Sequence, residues 1–327
     1  MTELFDSYRR HIDYIRVSVT DRCNLKCFYC SDGSVPHLPR REILSYEEIH
    51  RVVQAAAELG VQKVRLTGGE PLVRPHLDRL IKLLGGIEGV DDISLTTNGL
   101  FLVKYAAELK KAGLKRVNVS LDTLKADKFT AISGHDRLAE VLAGIEAAKN
   151  IGLEPVKINM VVLKGINDDE IVDFASRTLE DGWHVRFIEY MPLMETAGDF
   201  SRLVVVQDMV RLIQGKLGPL KPCRVASGAG PASYFRLPGA RGTVGFIRPL
   251  SECFCSECNR FRLTAEGQLR PCLLSDNEVD LKRALRRGAG LDELKKLIKE
   301  AVTNKPERHN LNDGPARGKR QMRQIGG

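Results

Sequence analysis

The sequence predicts an α/β protein, an incomplete (β/α)6 barrel followed by a smaller C-terminal α+β region. Between about residues 12 and 195, six short strand patterns alternate with helix patterns, which is typical of right-handed βαβ units and a parallel sheet. The turn that begins a doubly wound sheet is missing, which favours the barrel. After about residue 200, Gly- and Pro-rich sequence with short β patterns replaces the alternation. In barrels of this kind, we expect functional side chains at the carboxyl ends of the strands.

The barrel strands are predicted from apolar, β-branched runs and the helices from apolar stripes with defined ends. Strand patterns lie at IRVSVT, KVRLT, DISLTT, RVNVSL, VKINMVV and VRFIEYMP. The first helix is predicted to begin with a capping box of Ser45 and Glu48 and to end at Gly60. Further helices are predicted over residues 76–84, 102–111, 136–151 and 168–180, the last with a capping box of Asn167 and Glu170.

Beyond the barrel, a helix is predicted over residues 204–217, strands at YFRL, TVGFI and FRLT, and helices over 281–287 and 291–303. We therefore predict three segments. Residues 1–200 form the barrel with a first cluster, residues 201–314 form the C-terminal region with a second site, and residues 315–327 form a basic tail that ends in Gly-Gly.

Composition and charge restrict the class of protein. The chain of 327 residues is 43% hydrophobic and 28% charged, which excludes disorder of the whole chain. It has no apolar run long enough to cross a membrane and no secretory signal pattern, so a cytoplasmic location is expected. The net charge is +8, which suits an anionic partner. Half of it lies in the last 27 residues, and charge alone favours a solvated tail there.

Three cysteines directly follow the first strand pattern. Cys23, Cys27 and Cys30 form a CxxxCxxC motif, and three thiolates can hold three irons of a four-iron cluster while leaving the fourth iron open. A thioredoxin-like dithiol would be followed by a helix, but the next residues, SDGSVPHLPRRE, are rich in turn formers. A zinc site would require a fourth ligand nearby. The motif therefore predicts a cluster that can bind a further molecule.

CxxxCxxC in the loop after the first strand of a β/α barrel resembles the radical S-adenosylmethionine (SAM) superfamily. The resemblance implies that the open iron binds SAM and that reduction of the cluster cleaves SAM to a 5′-deoxyadenosyl radical. It also implies SAM contacts at the matching positions, which are Tyr29, Gly69 in TGGEP, Ser120 and Met191.

A second group of three thiols lies in the C-terminal region, with Cys255 and Cys258 followed 14 positions later by Cys272. The spacing alone leaves an iron–sulfur cluster and a zinc site completed by Cys253 equally open. FCSECNRFRLT and QLRPCL resemble one radical SAM family in particular, the GTP 3′,8-cyclases of molybdenum cofactor biosynthesis. That resemblance implies a second four-iron cluster on Cys255, Cys258 and Cys272, with its open iron facing guanine.

RLTGGEPLVR, LTTNG and the terminal QIGG extend this resemblance over nearly the whole chain. It implies catalytic roles for the first three cysteines and for Arg260, Arg262, Gly326 and Gly327, with the tail inserted into the active site. It implies GTP contacts at Arg16, Arg65, Thr96, Lys157, Arg260, Phe261 and Arg262. Inward charges within strands, as at Arg16 and Lys157, require an anionic partner.

The implied activity is the conversion of GTP to (8S)-3′,8-cyclo-7,8-dihydroguanosine 5′-triphosphate, with two 4Fe–4S clusters and SAM as cofactors. The implied partners are an electron donor such as flavodoxin or ferredoxin, the downstream cyclic pyranopterin monophosphate synthase and a second copy of the chain, but neither nucleic acid nor membrane. Two alternatives stay open at this point. One is another two-cluster radical SAM enzyme, such as a peptide-maturing one, and the other is a zinc-stabilised nucleic-acid-binding protein.

Overall fold

Six parallel strands form the middle of the sheet. In the computed structural model, which describes residues 3–31, 34–192, 199–225, 230–309 and 320–326, they pair in chain order. They are β1 (Tyr14–Ser18), β2 (Lys63–Thr67), β3 (Asp92–Thr97), β4 (Arg116–Ser120), β5 (Lys157–Val162) and β6 (His184–Glu189). The predicted incomplete barrel of six parallel strands is confirmed.

Helices connect these strands and pack on one face of the sheet. They are α1 (Tyr46–Glu58), α2 (Leu77–Gly85), α3 (Leu102–Lys111), α4 (Ala126–Ser133), α5 (Leu138–Asn150) and α6 (Ile171–Glu180). α1 begins with the predicted capping box of Ser45 and Glu48. The predicted capping box before α6 is wrong, because the Glu170 carboxylate instead accepts from the Thr123 hydroxyl at 2.7 Å and from the Leu124 N–H at 2.7 Å.

The C-terminal region does not form a sheet of its own. Its helices are α7 (Val206–Leu217), α8 (Leu281–Arg286) and α9 (Leu291–Thr303), and its strands are β7 (Lys221–Pro222), β8 (Ser233–Arg236), β9 (Thr243–Ile247), β10 (Arg260–Leu263), β11 (Gln268–Arg270) and β12 (Val279–Asp280). β10 extends the sheet in parallel beside β1, and β9 does so beside β6. The strand order is β12-β11-β10-β1-β2-β3-β4-β5-β6-β9-β8-β7, so the region lengthens the barrel wall at both edges.

Alternation along the strands gives the sheet an apolar face and a polar face. In β1, Ile15 and Val17 are fully buried in the hydrophobic core, whereas Arg16 lies between them on the opposite face. β4 repeats the pattern, with Val117 and Val119 in the core and Asn118 on the other face. The polar face lines the interior of the barrel, and most of the predicted GTP contacts lie on it.

The last described residues form a short helix, α10 (Met322–Ile325). Neither this helix nor α4 was predicted from the sequence. Among the described residues, no helix is both long and apolar enough to span a membrane.

Candidate active site

The first cysteine loop lies at the carboxyl end of β1. Cys23, Cys27 and Cys30 are half-buried in it. The Gly69 N–H donates to the Thr20 carbonyl oxygen at 2.7 Å, which ties the start of this loop to the turn after β2. The loop therefore lies where barrel enzymes carry their functional groups.

Close packing against this loop requires a glycine at position 69. A Cβ there would lie 2.4 Å from the carbonyl oxygen of Arg22. The following Glu70 is buried, and its carboxylate accepts from the Asn98 N–H at 2.6 Å and the Thr97 hydroxyl at 2.8 Å. Burial raises the pKa of Glu70 to about 7. TGGEP thus supports the cysteine loop, and the predicted contact of Gly69 with SAM stays a prediction.

Tyr29, between the second and third cysteines, is hydrogen-bonded to Asp122, a residue that was not among the candidates from the sequence. Its hydroxyl donates to Oδ2 of Asp122 at 2.5 Å, while Oδ1 accepts from the Val161 N–H at 2.9 Å. Burial raises the pKa of Asp122 to about 6. Asp122 comes two residues after β4 ends, and this position was the signal that could have identified it.

The other two predicted SAM contacts lie at the same end of the barrel. Ser120 is exposed as the last residue of β4, and Met191 is half-buried two residues after β6 ends. Both positions suit a ligand bound beside the cysteine loop, and their contacts with SAM stay predictions.

The donor set of the first loop fits a four-iron cluster better than a zinc ion. Cys23 and Cys30 are close enough to Cys27 for their charges to raise the pKa of that thiol, after the larger effect of burial. Within the described residues, however, these three sulfur atoms do not all lie within 4.8 Å of one another. One zinc ion would draw its thiolates to about 4 Å apart, whereas in a four-iron cluster each thiolate ligates its own iron.

The second cysteine group lies at the opposite end of the barrel. Cys255 and Cys258 precede β10, which runs parallel to β1, and Cys272 follows the antiparallel β11. All three therefore lie at the amino end of β1. The length of β1 separates this end from the first loop by about 15 Å. The expectation that functional groups lie at carboxyl ends thus describes the first group and not the second.

Cations surround the thiol of Cys258. Burial raises its pKa, but the charges of Lys305 and Arg260 outweigh burial and lower the pKa to about 7. Lys305 is held in place by donating to the carbonyl oxygens of Arg260 at 2.9 Å and Pro271 at 2.7 Å. A thiolate is the form of cysteine that ligates metal. The lowered pKa therefore favours the form of Cys258 that can act as a ligand.

Between the two cysteine groups, cations line the interior of the barrel. Arg16 lies directly opposite Arg262 on β10 and Arg65 on β2, so the three arginines share one level of the sheet. Lys157 on β5 and Arg186 on β6 contribute further charge from the other side, and both are buried. Five strands thus direct positive charge into one space.

This concentration of charge shifts the pKa values of its members. Burial lowers the pKa of Lys157 to about 6, and the charges of Arg186, Arg116 and Arg65 contribute to the shift. Burial, followed by the charge of Arg260, lowers the pKa of Arg262 to about 10. Buried cations at such spacing are unfavourable without counter-charge. The interior therefore suits a polyanionic ligand.

Two residues that the sequence reasoning missed belong to this interior. Arg186 donates from Nη2 to Oδ1 of Asn118 at 2.7 Å, and its buried Nε has no partner among the described residues. Tyr234 on β8 lies beneath Lys157, whose Nζ is 5.5 Å from the ring centroid. Arg186 could have been found from its charge at an inward strand position, a feature that it shares with Arg16. Tyr234 carried no such signal.

The remaining predicted GTP contacts, Thr96, Arg260 and Phe261, have different surroundings. Thr96 on β3 has a buried hydroxyl oxygen with no partner among the described residues. Arg260 lies over the rings of Tyr14 and Phe254, 5.9 and 5.6 Å from their centroids. Phe261 is fully buried in the hydrophobic core. Its side chain faces away from Arg260 because neighbouring strand residues point to opposite faces, and the predicted contact of Phe261 with GTP stays a prediction.

The C-terminal tail enters the same interior. Nη1 of Arg262 donates to the Gly326 carbonyl oxygen at 2.9 Å, and the Thr67 hydroxyl lies 3.3 Å from the same oxygen. Gly326 has φ +77 and needs to be a glycine, because a Cβ would lie 2.4 Å from Oγ1 of Thr67. Gly327, also predicted to be catalytic, lies outside the described residues, as do residues 315–319 of the predicted tail.

Two family patterns match most of the chain. Residues 17–177 match the Radical SAM superfamily, and residues 183–311 match Molybdenum Cofactor Synthesis C. The chain is 53% identical to the GTP 3′,8-cyclase of Pelotomaculum thermopropionicum over 98% of this chain and 99% of the relative. It is 47% identical to the GTP 3′,8-cyclase of Thermodesulfovibrio yellowstonii with the same coverage.

Solved structures with low sequence identity share the fold. Streptococcus suis SuiB bound to S-adenosylmethionine matches with a TM-score of 0.65 at 13% identity, over 97% of this chain and 79% of SuiB. Native anSMEcpe with bound AdoMet matches with a TM-score of 0.63 at 18% identity, over 91% of this chain and 82% of the other.

Proposed function

Since this chain belongs to the GTP 3′,8-cyclase family of the radical SAM superfamily, we propose that its barrel interior binds GTP between two four-iron clusters. The enzyme converts GTP to (8S)-3′,8-cyclo-7,8-dihydroguanosine 5′-triphosphate, the first step of molybdenum cofactor biosynthesis. Full-length likeness to these cyclases decides against the peptide-maturing and nucleic-acid-binding alternatives. The observation that supports the substrate site is the group of buried cations between the two cysteine groups.

Residues 23–30 would hold the first cluster and present SAM to the interior. Bound at these sites, the clusters and SAM supply the electron transfer and the 5′-deoxyadenosyl radical that join ribose C3′ to guanine C8. Cys23, Cys27 and Cys30 would ligate three irons. Tyr29, fixed by its bond to Asp122, would lie against the adenine, and the remaining SAM contacts would come from Gly69, Ser120 and Met191.

The cations of the barrel interior would hold the triphosphate. Arginine binds phosphate oxygens in pairs and keeps its charge when buried, which suits Arg16, Arg65 and Arg262 on neighbouring strands. Lys157 and Arg186 would neutralise the same group from β5 and β6, while the Thr96 hydroxyl would contribute a polar contact. The guanine would face the second cluster, held by Cys255, Cys258 and Cys272.

The tail would close the reaction space from the side of the first cluster. The hydrogen bond from Arg262 to Gly326 supports a position of the tail backbone beside the proposed triphosphate site. A tail in this position excludes water from a radical reaction and limits side reactions. In our proposal, Gly326 acts by this close approach of its backbone, and a catalytic role of Gly327 stays a prediction.

Electrons would enter where the first cysteine loop reaches the surface. Phe28, next to Cys27, is 39% exposed, and the guanidinium of Arg202 lies 5.0 Å from its ring centroid. Arg22 and Lys26 are exposed in the same loop. A small acidic electron carrier such as flavodoxin or ferredoxin suits this basic surface with an apolar centre. The downstream synthase, a homodimer and a cytoplasmic location also stay predictions.

The test is an iron count with matched cysteine variants. The reconstituted wild-type chain should hold about eight irons, and Cys27→Ser and Cys258→Ser should each reduce this to about four. Cys27→Ser should abolish SAM cleavage, whereas Cys258→Ser should retain SAM cleavage and lose cyclisation. Cys223→Ser lies outside both groups and should match the wild type.

Different results would contradict the assignment. Four irons together with one zinc in the wild type would make the C-terminal site structural. Equal loss of SAM cleavage in Cys27→Ser and Cys258→Ser would refute the division of roles between the two clusters. Absence of iron in the wild type would refute the enzyme itself.

A further inference from the structure

Three metal-ligating side chains meet beside the second cysteine group. A sulfur or ring nitrogen from each of Cys253, Cys255 and His309 lies within 4.8 Å of the other two. In the part of the chain that the structure describes, no other group of three such side chains is as close. Cys258 and Cys272 do not belong to this group, although we assign them to the same cluster as Cys255. Cys253, which we do not assign to the cluster, therefore lies close to His309 and Cys255.

The chemistry of these donors suits a borderline-soft divalent ion. Two thiolates and one imidazole are common ligands of zinc, which binds sulfur at about 2.3 Å and nitrogen at about 2.0 Å. Tetrahedral coordination at these lengths places the ligand atoms about 3.5 to 4 Å apart. Donors that already lie within 4.8 Å need only small side-chain movements to reach this geometry. A fourth position would be left for water, as in zinc sites with three protein ligands.

Neighbouring contacts already orient two of the three ligands. Nε2 of His309 lies 2.8 Å from the carbonyl oxygen of Pro249. Because a carbonyl oxygen can only accept, Nε2 is the donor in this contact, and Nδ1 is the nitrogen that would ligate an ion, as in metal-ligating histidines whose other ring nitrogen donates to a carbonyl. Nη1 of Arg10 donates to the carbonyl oxygen of Cys255 at 2.7 Å and fixes that backbone. Cys253 is exposed, which gives an ion access from solvent.

We propose that Cys253, Cys255 and His309 form a site for zinc or a similar divalent ion, occupied when Cys255, Cys258 and Cys272 hold no cluster. The ion site itself does not depend on the proposed function. The competition does, because the thiolate of Cys255 is a ligand in both arrangements. Zinc bound here would hold Cys255 and prevent assembly of the second cluster.

The test uses the full, iron-free chain under reducing conditions, titrated with Co²⁺ as a coloured substitute and then with Zn²⁺. We expect one equivalent of Co²⁺ with the visible absorption of a tetrahedral thiolate site, displaced by Zn²⁺. Loss of a residue that only hydrogen-bonds to a metal ligand weakens metal affinity by roughly 10- to 100-fold. Loss of a direct ligand in Cys253→Ser or His309→Gln should therefore weaken Co²⁺ binding by more than tenfold. Cys272→Ser should leave the Co²⁺ spectrum unchanged.

Assembly of the second cluster should depend on Cys272 and not on Cys253, the reverse of Co²⁺ binding. Cys253→Ser should reconstitute to about eight irons, Cys272→Ser to about four, and wild type loaded with zinc beforehand also to about four. The ion site is overturned if wild type shows no tetrahedral spectrum, or if Cys272→Ser loses the spectrum while Cys253→Ser keeps it. About eight irons in the zinc-loaded chain would overturn the competition. Failure of every variant to take up iron would refute the proposed function without affecting the Co²⁺ result.

Discussion

Arg262 donates from Nη1 to the carbonyl oxygen of Gly326 at 2.9 Å. Arg262 belongs to β10, which begins two residues after Cys258 of the second cysteine group, whereas Gly326 lies against Thr67 at the carboxyl end of β2. A single hydrogen bond therefore connects the strand beside the second group with the tail that faces the first. The tail is positioned by the same guanidinium that we assign to GTP.

Gly326→Ala should lower the rate of cyclisation roughly 100-fold while the protein stays folded. The new Cβ would lie 2.4 Å from Oγ1 of Thr67 and 3.1 Å from Cβ of Ser18, so the tail backbone must move away from the reaction space. A displacement of this size near reacting atoms can lower the rate roughly 100-fold. Chromatography of the cyclised product and of 5′-deoxyadenosine, together with Tm, measures the effect.

Gly239→Ala is the matched control for that substitution. Gly239 has the same φ of +77, but nothing lies within 4 Å of its Cβ position. It should therefore show the same backbone strain, about 1 to 3 kcal/mol, and normal cyclisation. Equal loss of product in both variants would mean that Gly326 acts through stability rather than through its place in the active site.

Arg186→Ala should weaken GTP binding by roughly 10- to 100-fold, the effect expected from loss of a hydrogen bond to a charged group. The guanidinium is buried, and its Nη2 donates to Asn118. Its Nε has no hydrogen-bond partner among the described residues and could donate to a ligand. Calorimetric titration with GTP gives Kd. Arg186→Lys should recover part of the affinity, and exposed Arg236→Ala should leave it unchanged. Unchanged affinity in Arg186→Ala would place the triphosphate elsewhere.

GTP binding should be accompanied by proton uptake near neutral pH. The pKa of Lys157 is about 6 in the protein alone, and a polyphosphate beside it stabilises the ammonium form and raises that pKa. Because the bound state then holds more protons, affinity falls as pH rises above about 6, by at most about tenfold per pH unit for one proton. Calorimetry in two buffers with different ionisation enthalpies measures the uptake.

Lys157→Arg provides the comparison for this pH effect. Arginine keeps its charge over the tested range, so the variant should retain only the proton uptake of the GTP phosphates themselves. Equal uptake in wild type and Lys157→Arg would show that Lys157 is already protonated before GTP binds.

Local patterns predicted the elements that local chemistry determines. Ser45 and Glu48 cap α1 as expected because both partners lie within one helical turn. Asn167 and Glu170 have the same spacing, but Glu170 is drawn to the hydroxyl of Thr123, 47 residues away in the chain. A tertiary partner of this kind leaves no trace in the local sequence, so the second capping box could not have been excluded from it.

The site shows the same division between local and distant information. The family resemblance supplied Arg16 and Lys157 as GTP contacts, and their charges at inward strand positions agree with an anionic ligand. An inward charge of this kind could also have pointed to Arg186. The opposite position of the two cysteine groups could not have been predicted, because it depends on β10 pairing in parallel with β1 across more than 200 residues. Asp122 likewise gains its role only from contact with Tyr29.

Arg323→Ala should release the tail from the first cysteine loop. The guanidinium donates to the carbonyl oxygen of Val35, to His37 at 3.0 Å and to Oε1 of Gln321 at 2.9 Å, and Gln321 accepts from the Ser31 hydroxyl at 2.7 Å. These bonds tie the tail to the residues that follow Cys30. Their loss should speed amide hydrogen exchange over residues 320–326 and lower cyclisation, while GTP affinity stays within about threefold, since no interior cation is removed.

The charge of Arg323 should also affect the first cluster, and Arg323→Lys separates this effect from anchoring. The cation lies close enough to Cys30 to oppose the rise in pKa that burial causes there. A nearby positive charge favours the reduced cluster, so Arg323→Ala should lower its midpoint potential in an EPR titration. Arg323→Lys keeps the charge but lacks the planar fork, so it should retain the potential and still loosen the tail. A lowered potential in both variants would instead trace the effect to loop movement, and unchanged exchange in Arg323→Ala would mean that other contacts hold the tail.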